Sequence, residues 1–398
     1  MLAKIFSFLL GIIGVVTTAL SFPVPQTAIA PKITPTKTET VVENTKSKTN
    51  DFSQLKSAST TTQRTATTTA KEKTPAKKPT ENSKTPVPNV VASKIPYIPK
   101  VAVATTTTPA PPTDFNALNQ KARAAVVNIL CTSAMGGIFE PISGSGVLID
   151  SRGIILTNAH IAQFLLLEDS AGRKLLNCIV RTGSPAVATY RVNVVYISPQ
   201  WVKDNYKNLR SQNPTGTGEN DFALLQVTGY TNPDLVFKGS VPSMSVEYND
   251  NAIKTGNLAV LAAYPAGFLG GIEIQRDLYI TSTIINLGQL FTFKTGEVDL
   301  FSLGGSPVAQ HGSSGGAAVD TDGKLIGIIV TSTDATNTSD RDLNAISTSY
   351  INRNLKSTSG ISLEELLNSS LSSFSAQFDT ASLPEIKKLL FEALTSGN

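Results

Sequence analysis

Histidine, cysteine and tryptophan are scarce in this chain of 398 residues: two His, two Cys and one Trp. Two histidines exclude a His-rich metal site, and two cysteines exclude a disulfide-dense scaffold. Cys/His metal-ligand spacings, a P-loop and a dinucleotide-binding glycine fingerprint are missing as well, so the sequence implies no cofactor. Charge is sparse, at 16% of residues, and unevenly placed. Residues 31–113 hold 13 basic and 5 acidic side chains, whereas residues 114–398 hold 20 basic and 25 acidic ones. The formal +4 therefore sums a positive tract and a remainder of net −5, which argues against nucleic-acid binding by that remainder.

Four segments follow from composition. In residues 1–22, Lys4 precedes Ile5 to Phe22, 18 residues without a charge. As a helix that run covers roughly 27 Å, just short of a hydrocarbon core of about 30 Å. It reads as a membrane-targeting segment, either an uncleaved anchor or a cleaved signal peptide. Both place the remainder outside the cytoplasm, anchored or secreted. Residues 23–113 form a Thr/Pro/Lys-rich linker: 21 Thr lie between residues 31 and 113, and large apolar side chains are too few to offset the entropy of ordering. Residues 114–357 carry short apolar or alternating runs between Gly, Asn, Asp and Pro punctuation. Residues 358–398 form a helical tail, with Leu363, Leu366, Leu367, Leu371 and Phe374 at helical spacing and a second amphipathic stretch from Leu383 to Leu394. Strands are predicted at Ala124–Cys131, Gly146–Ile149, Ile154–Thr157, Arg191–Ile197, Phe222–Val227, Leu258–Ala263, Tyr279–Ile285, Ala317–Val319 and Leu325–Thr331. Many short strands suggest an all-β sandwich or barrel.

Three segments could carry chemistry. Gln310-His311-Gly312-Ser313-Ser314-Gly315-Gly316-Ala317 places a serine in a glycine-rich turn before a strand. Such a turn can aim amide N–H groups at a developing oxyanion, although a Gly/Ser turn by itself is more often a hairpin loop. His160 ends Thr157-Asn158-Ala159-His160 behind an apolar strand, and with two histidines in the chain the choice of general base is nearly forced. Asn220-Asp221-Phe222-Ala223-Leu224-Leu225 sets an acid at the mouth of a buried strand, where an Asp is ordinarily a turn or cap residue. A triad needs such a carboxylate to orient the imidazole.

In the order His, Asp, Ser these segments resemble the chymotrypsin-like serine proteases, most closely the HtrA (Deg-like) branch. Gly144-Ser145-Gly146-Val147-Leu148-Ile149 ahead of Ile155-Leu156-Thr157-Asn158-Ala159-His160, and Gly323-Lys324-Leu325-Ile326-Gly327-Ile328 after Ser314, add to the likeness. The resemblance implies two six-stranded antiparallel β-barrels, about 114–240 and 241–357, with the active site between them. It implies a serine endopeptidase acting on proteins or peptides, with Ser314 as nucleophile, His160 as base, Asp221 as orienting acid, and the N–H groups of Gly312 and Ser314 as oxyanion hole. By position, Val308 falls at the base of a primary specificity pocket, Ala345, Ile346 and Ser347 on its wall, and His311 near the substrate; an apolar preference follows.

The chain departs from the family pattern in places. Ser313 stands where digestive members carry an Asp that pairs with a new N-terminus, so activity without propeptide removal is expected. Lys356 is followed by 42 residues, too few for a PDZ domain. Tyr196–Gly218, with Trp201, Lys203 and Asp204, reads as a polar surface insertion, and Asp204 is the reserve acid. The C-terminal helices are expected to pack on the second barrel. Cys131 and Cys178 lie in candidate strands of the first barrel, either bridged or as two buried thiols. A catalytically inactive binding or adhesion module on a tether is the alternative function, and the sequence sets no oligomeric state.

Overall fold

A computed structural model describes residues 112–396 apart from 135–138, 171, 212–215, 268, 295 and 333–342. The membrane-targeting reading of residues 1–22 and the linker reading lie outside the described residues. Among the described residues no helix is long and apolar enough to cross a membrane.

The described chain opens with a helix that the strand pattern does not anticipate. Helix α1, Phe115–Ala125, starts at Asp114, whose carboxylate accepts the N–H groups of Asn116 and Ala117. It buries Leu118, Ala122 and Ala125, a stripe at helical spacing made mostly of small residues. Strand β1, Val126–Ser133, follows, then β2, Ile142–Asp150, and β3, Ile154–Thr157. A short helix α2, Ala159–Ala162, and a ribbon of β4, Asp169–Ser170, and β5, Arg173–Lys174, lead to β6, Leu176–Thr182, and β7, Val187–Ile197. Helix α3, Pro199–Asn205, precedes β8, Ala223–Tyr230. Strands β1, β2, β3, β8, β7 and β6 close in that order into a six-stranded barrel. Cys131 and Cys178 face each other across β1 and β6 and are joined by a disulfide.

The second half is built from β9, Ser245–Val246, β10, Leu258–Ala263, helix α4, Gly271–Arg276, β11, Thr281–Asn286, β12, Leu290–Phe291, β13, Leu300–Gly304, β14, Ala317–Val319, β15, Lys324–Ser332, and β16, Leu343–Ser347. The expected second six-stranded barrel is met in part: the sheet is barrel-like, but it has eight strands and no closing ladder among the described residues. Its strands run in the order β11, β10, β14, β15, β16, β13, β12, with β9 parallel to β15. The connection from β11 to β12 runs beside β13 and extends the β12–β13 pairing. There Gly288 N–H donates to Ser302 O and Ser302 N–H to Gln289 O, each at 2.8 Å. A Cβ on Gly288 would lie 2.8 Å from Ser302 Oγ, so this seam needs glycine.

Four helices end the described chain: α5, Thr348–Ser359, α6, Leu363–Leu367, α7, Leu371–Ala381, and α8, Leu383–Thr395. The last two dock on the first barrel rather than the second. Phe374 and Phe378 of α7 meet Tyr196 of β7 at ring-centroid distances of 5.8 and 5.6 Å. Lys203 of α3 pairs with Glu385 of α8 at 3.3 Å. Trp201 and Val202 are buried here, so the segment expected to be a polar surface insertion instead forms part of the packing layer. The reason is their apolar bulk: Trp201 and Val202 are buried where α3 meets α8.

Candidate active site

Strand β3 ends at Thr157, and the chain turns through Asn158 into α2, which places His160 at the lip of the first barrel. Asp221 stands just before β8, the neighbour of β3. Its carboxylate binds His160 twice: Oδ2 lies 2.7 Å from ring Nδ1, and Oδ1 accepts the backbone N–H at 2.9 Å. The Asp221 side chain is 7% exposed and the His160 side chain 23%. An ionised carboxylate only accepts, so Nδ1 carries the proton and Nε2 is left as a proton acceptor.

The acid is held from several sides. Asn158 Nδ2 donates to Asp221 O at 2.9 Å, and Asp221 N–H to Gly218 O at 3.1 Å. Asn220, just before it, is left-handed at φ 63°, a conformation Asn tolerates better than most residues. That turn is clamped by α5. Asn354 Nδ2 donates to Asn220 Oδ1 at 2.8 Å, while the Tyr350 hydroxyl accepts Asn220 N–H and donates to Asn220 Oδ1, both at 3.2 Å. Burial raises the Tyr350 phenol well above its ordinary range, so it stays protonated and able to donate.

The glycine-rich turn reaches the same place from the second half of the fold. Ser145 of β2 is the point of attachment. Its N–H donates to Ser314 O at 2.7 Å, its hydroxyl donates to Gly312 O at 2.8 Å, and that hydroxyl accepts Tyr264 N–H at 3.0 Å. Thr157, three residues before His160, donates its hydroxyl to Ser145 O at 2.7 Å. Two glycines permit this approach. A Cβ on Gly315, at φ 83°, would lie 2.6 Å from Thr157 Oγ1, and one on Gly312, at φ 90°, would lie 2.7 Å from Tyr264 O. Within the turn, the amides of Ser313, Gly315 and Gly316 donate to Gln310 O, Ile329 O and Ser313 O. The amides of Gly312 and Ser314 have no partner among the described residues. His311 O accepts Ala266 N–H at 2.7 Å, and in a trans peptide this turns the Gly312 N–H the opposite way.

The other candidates fall elsewhere. Asp204 is exposed on α3 and accepts from Gln200 Nε2 at 2.9 and 3.0 Å; it does not bind His160. His311 is exposed beside the turn. Val308 and Ala345 are fully buried in one apolar cluster of the second half, and Ile346 is fully buried in the larger cluster. The Ser347 hydroxyl is engaged, donating to Val298 O at 2.6 Å and accepting Tyr350 N–H as the N-cap of α5. Sequence reasoning gave no role to Ser145, Thr157, Tyr350 or Asn354. Ser145 alone had a signal, its place between two glycines.

Residues 144–328 match the trypsin-like peptidase domain family. No curated protein sequence matches the chain. Among solved structures, the chain is similar to the Rv3671c protease from M. tuberculosis in its active form, with 17% identity, a TM-score of 0.38, and coverage of 64% of this chain and 93% of that one. It is also similar to Deg5, with 18% identity, a TM-score of 0.40, and coverage of 62% and 96%.

Proposed function

We propose, from the match of residues 144–328 to the trypsin-like peptidase domain family, that the chain is an exported serine endopeptidase of the HtrA-like kind, working through His160, Asp221 and Ser314. The observation that carries the reading is the double hold of Asp221 on His160, at 2.7 and 2.9 Å, which leaves Nε2 as the base. The two unpartnered amides, Gly312 and Ser314, support the oxyanion role.

Ser314 Oγ attacks the scissile carbonyl while His160 Nε2 takes its proton. The carbonyl π pair moves onto oxygen, and the amides of Gly312 and Ser314 stabilise that oxyanion. Collapse of the tetrahedral intermediate breaks the C–N bond as His160 returns the proton to the leaving amine. Water, deprotonated by His160, then attacks the acyl-enzyme; collapse breaks the bond to Ser314 Oγ, releases the acid product, and returns the proton from His160 to Ser314. Asp221 stays ionised throughout, fixing the tautomer and stabilising the imidazolium.

Three finer proposals have separate grounds. A preference for small or medium apolar side chains rests on the resemblance, since Val308 and Ala345 are fully buried in the core of the second half. The Cys131–Cys178 bond and the uncharged Ile5–Phe22 run support action outside the cytoplasm, with anchoring through that run or secretion after its removal. A role in protein processing or quality control rests on the resemblance alone. Incubation of the chain with unfolded casein tests the reading. Cleavage by the parent and none by Ser314→Ala is expected; equal cleavage by both, or none by either, would sink it.

A further inference from the structure

The first barrel holds a buried guanidinium that no carboxylate pairs with among the described residues. Arg181 of β6 is 2% exposed. Its Nε donates to Asn128 Oδ1 at 2.8 Å and Nη1 to Gln275 O at 3.0 Å, while Nη2 has no partner among the described residues. Burial lowers its pKa to about 10. Burying a cation with no carboxylate partner opposes folding, and an apolar side chain of similar volume would serve packing as well or better. Packing therefore gives no reason for an arginine here.

The hydrogen bonds leading away from Arg181 supply one. Asn128 lies opposite Arg181 on one side of β1 and opposite Ser145 on the other. Fully buried, it donates through Nδ2 to Gly144 O at 2.8 Å and to Ser143 Oγ at 3.0 Å. Gly144 O belongs to the peptide group whose N–H, on Ser145, donates to Ser314 O at 2.7 Å. The next peptide group continues the file, since Gly315 N–H donates to Ile329 O at 2.8 Å. Every bond in this file runs in one direction, from guanidinium to amide to peptide to the Ser314 carbonyl. Bonds in such a file polarise one another, most of all where water is excluded and a cation stands at the head.

We propose that Arg181 and Asn128 are positioning residues for Ser314, holding the nucleophile's peptide groups in place through the Gly144–Ser145 peptide. The inference rests on the serine-protease reading and deepens it. Neither side chain meets substrate. They act by fixing Ser314 O, and with it the Ser314 amide and hydroxyl, against His160, whose own contacts with Asp221 are separate from the file.

Two variants divide this role from a merely structural one. Asn128→Asp still accepts from Arg181, and pairs it with a charge, but turns a carboxylate oxygen instead of a donor toward Gly144 O. Arg181→Met removes the head of the file and keeps an apolar side chain of similar length. Each is assayed with a peptide anilide, activity being expressed per folded molecule from near-ultraviolet circular dichroism. The expected result is a kcat lower by about tenfold or more, with KM within about twofold and a pH profile of unchanged shape, because small displacements remote from the chemistry act on the transition state. Lower thermal midpoints are expected for both, since Arg181→Met leaves Asn128 Oδ1 without its donor and Asn128→Asp sets two acceptors face to face, and for that reason activity is read per folded molecule. A kcat per folded molecule within twofold of the parent in both variants would overturn the inference while leaving the protease reading intact. A parent that does not hydrolyse the anilide and takes up no serine-directed phosphonate would overturn both.

Discussion

Both carboxylate oxygens of Asp221 are committed to a single residue, and the arrangement depends on the atoms around them. Asn220 adopts a backbone conformation that β-branched or bulky residues avoid, and the hydroxyl of Tyr350 and the amide of Asn354 make it the stable one. Glu168, in the segment after α2, is a residue of a different kind. Its Oε1 accepts Cys178 N–H at 2.8 Å, yet burial outweighs that bond and the nearby Lys174 and raises its pKa. A carboxyl group whose folded pKa lies above its unfolded one binds its proton more tightly in the folded state. Stability from this group is therefore fully present below the unfolded pKa, about 4.3, and is lost as pH rises through the raised folded value. Glu168→Gln keeps the acceptor and removes the charge. Its thermal midpoint is expected to exceed the parent's near neutral pH, with the difference closing at acid pH. A difference that is constant across pH, or of opposite sign, would contradict the assignment.

At the scale of elements, the first barrel is closed by its ladders and further tied by Cys131–Cys178, 47 residues apart in sequence. Constraint of a loop of that length in the unfolded chain is worth about 2 to 4 kcal/mol. The double variant Cys131→Ala, Cys178→Ala is expected to lose stability in that range in urea unfolding; an unchanged midpoint at unchanged slope would count against it. These elements also show what could be read from residues alone. The pairing of His160 with Asp221 was legible because each stands in a short motif at the mouth of an apolar strand, and the role proposed for Ser314 rests on the same kind of motif. Helix α1 was not, because its buried stripe is Leu118 with two alanines, too slight to compete with the β-rich pattern behind it. Nor was the docking of α7 and α8, since an amphipathic face says that it is covered but not by which barrel. Arg181 reads as the outward residue of an alternating strand. It is buried because the chain around Gln275 folds over it, a contact between residues 94 apart in sequence.

Across the whole molecule, Ser145 is where the two halves meet the chemistry. From the first barrel it binds Gly312 O, Ser314 O and Tyr264 N–H of the second half, and through Thr157 it is tied to the segment carrying His160. These bonds tie the glycine-rich turn to the segment that carries His160. Ser313, fully buried with its hydroxyl unpartnered among the described residues, stands where digestive relatives place the acid of a zymogen switch. The central claim is that His160 activates Ser314 in the chain as synthesised, without trimming next to the barrel. Mass spectrometry of the untrimmed chain after treatment with a serine-directed phosphonate tests it most directly. The account predicts one adduct, on Ser314, absent from Ser314→Ala and strongly reduced in His160→Ala. An adduct on another residue, undiminished labelling of Ser314→Ala, or labelling that begins only after cleavage near residue 113 would contradict it.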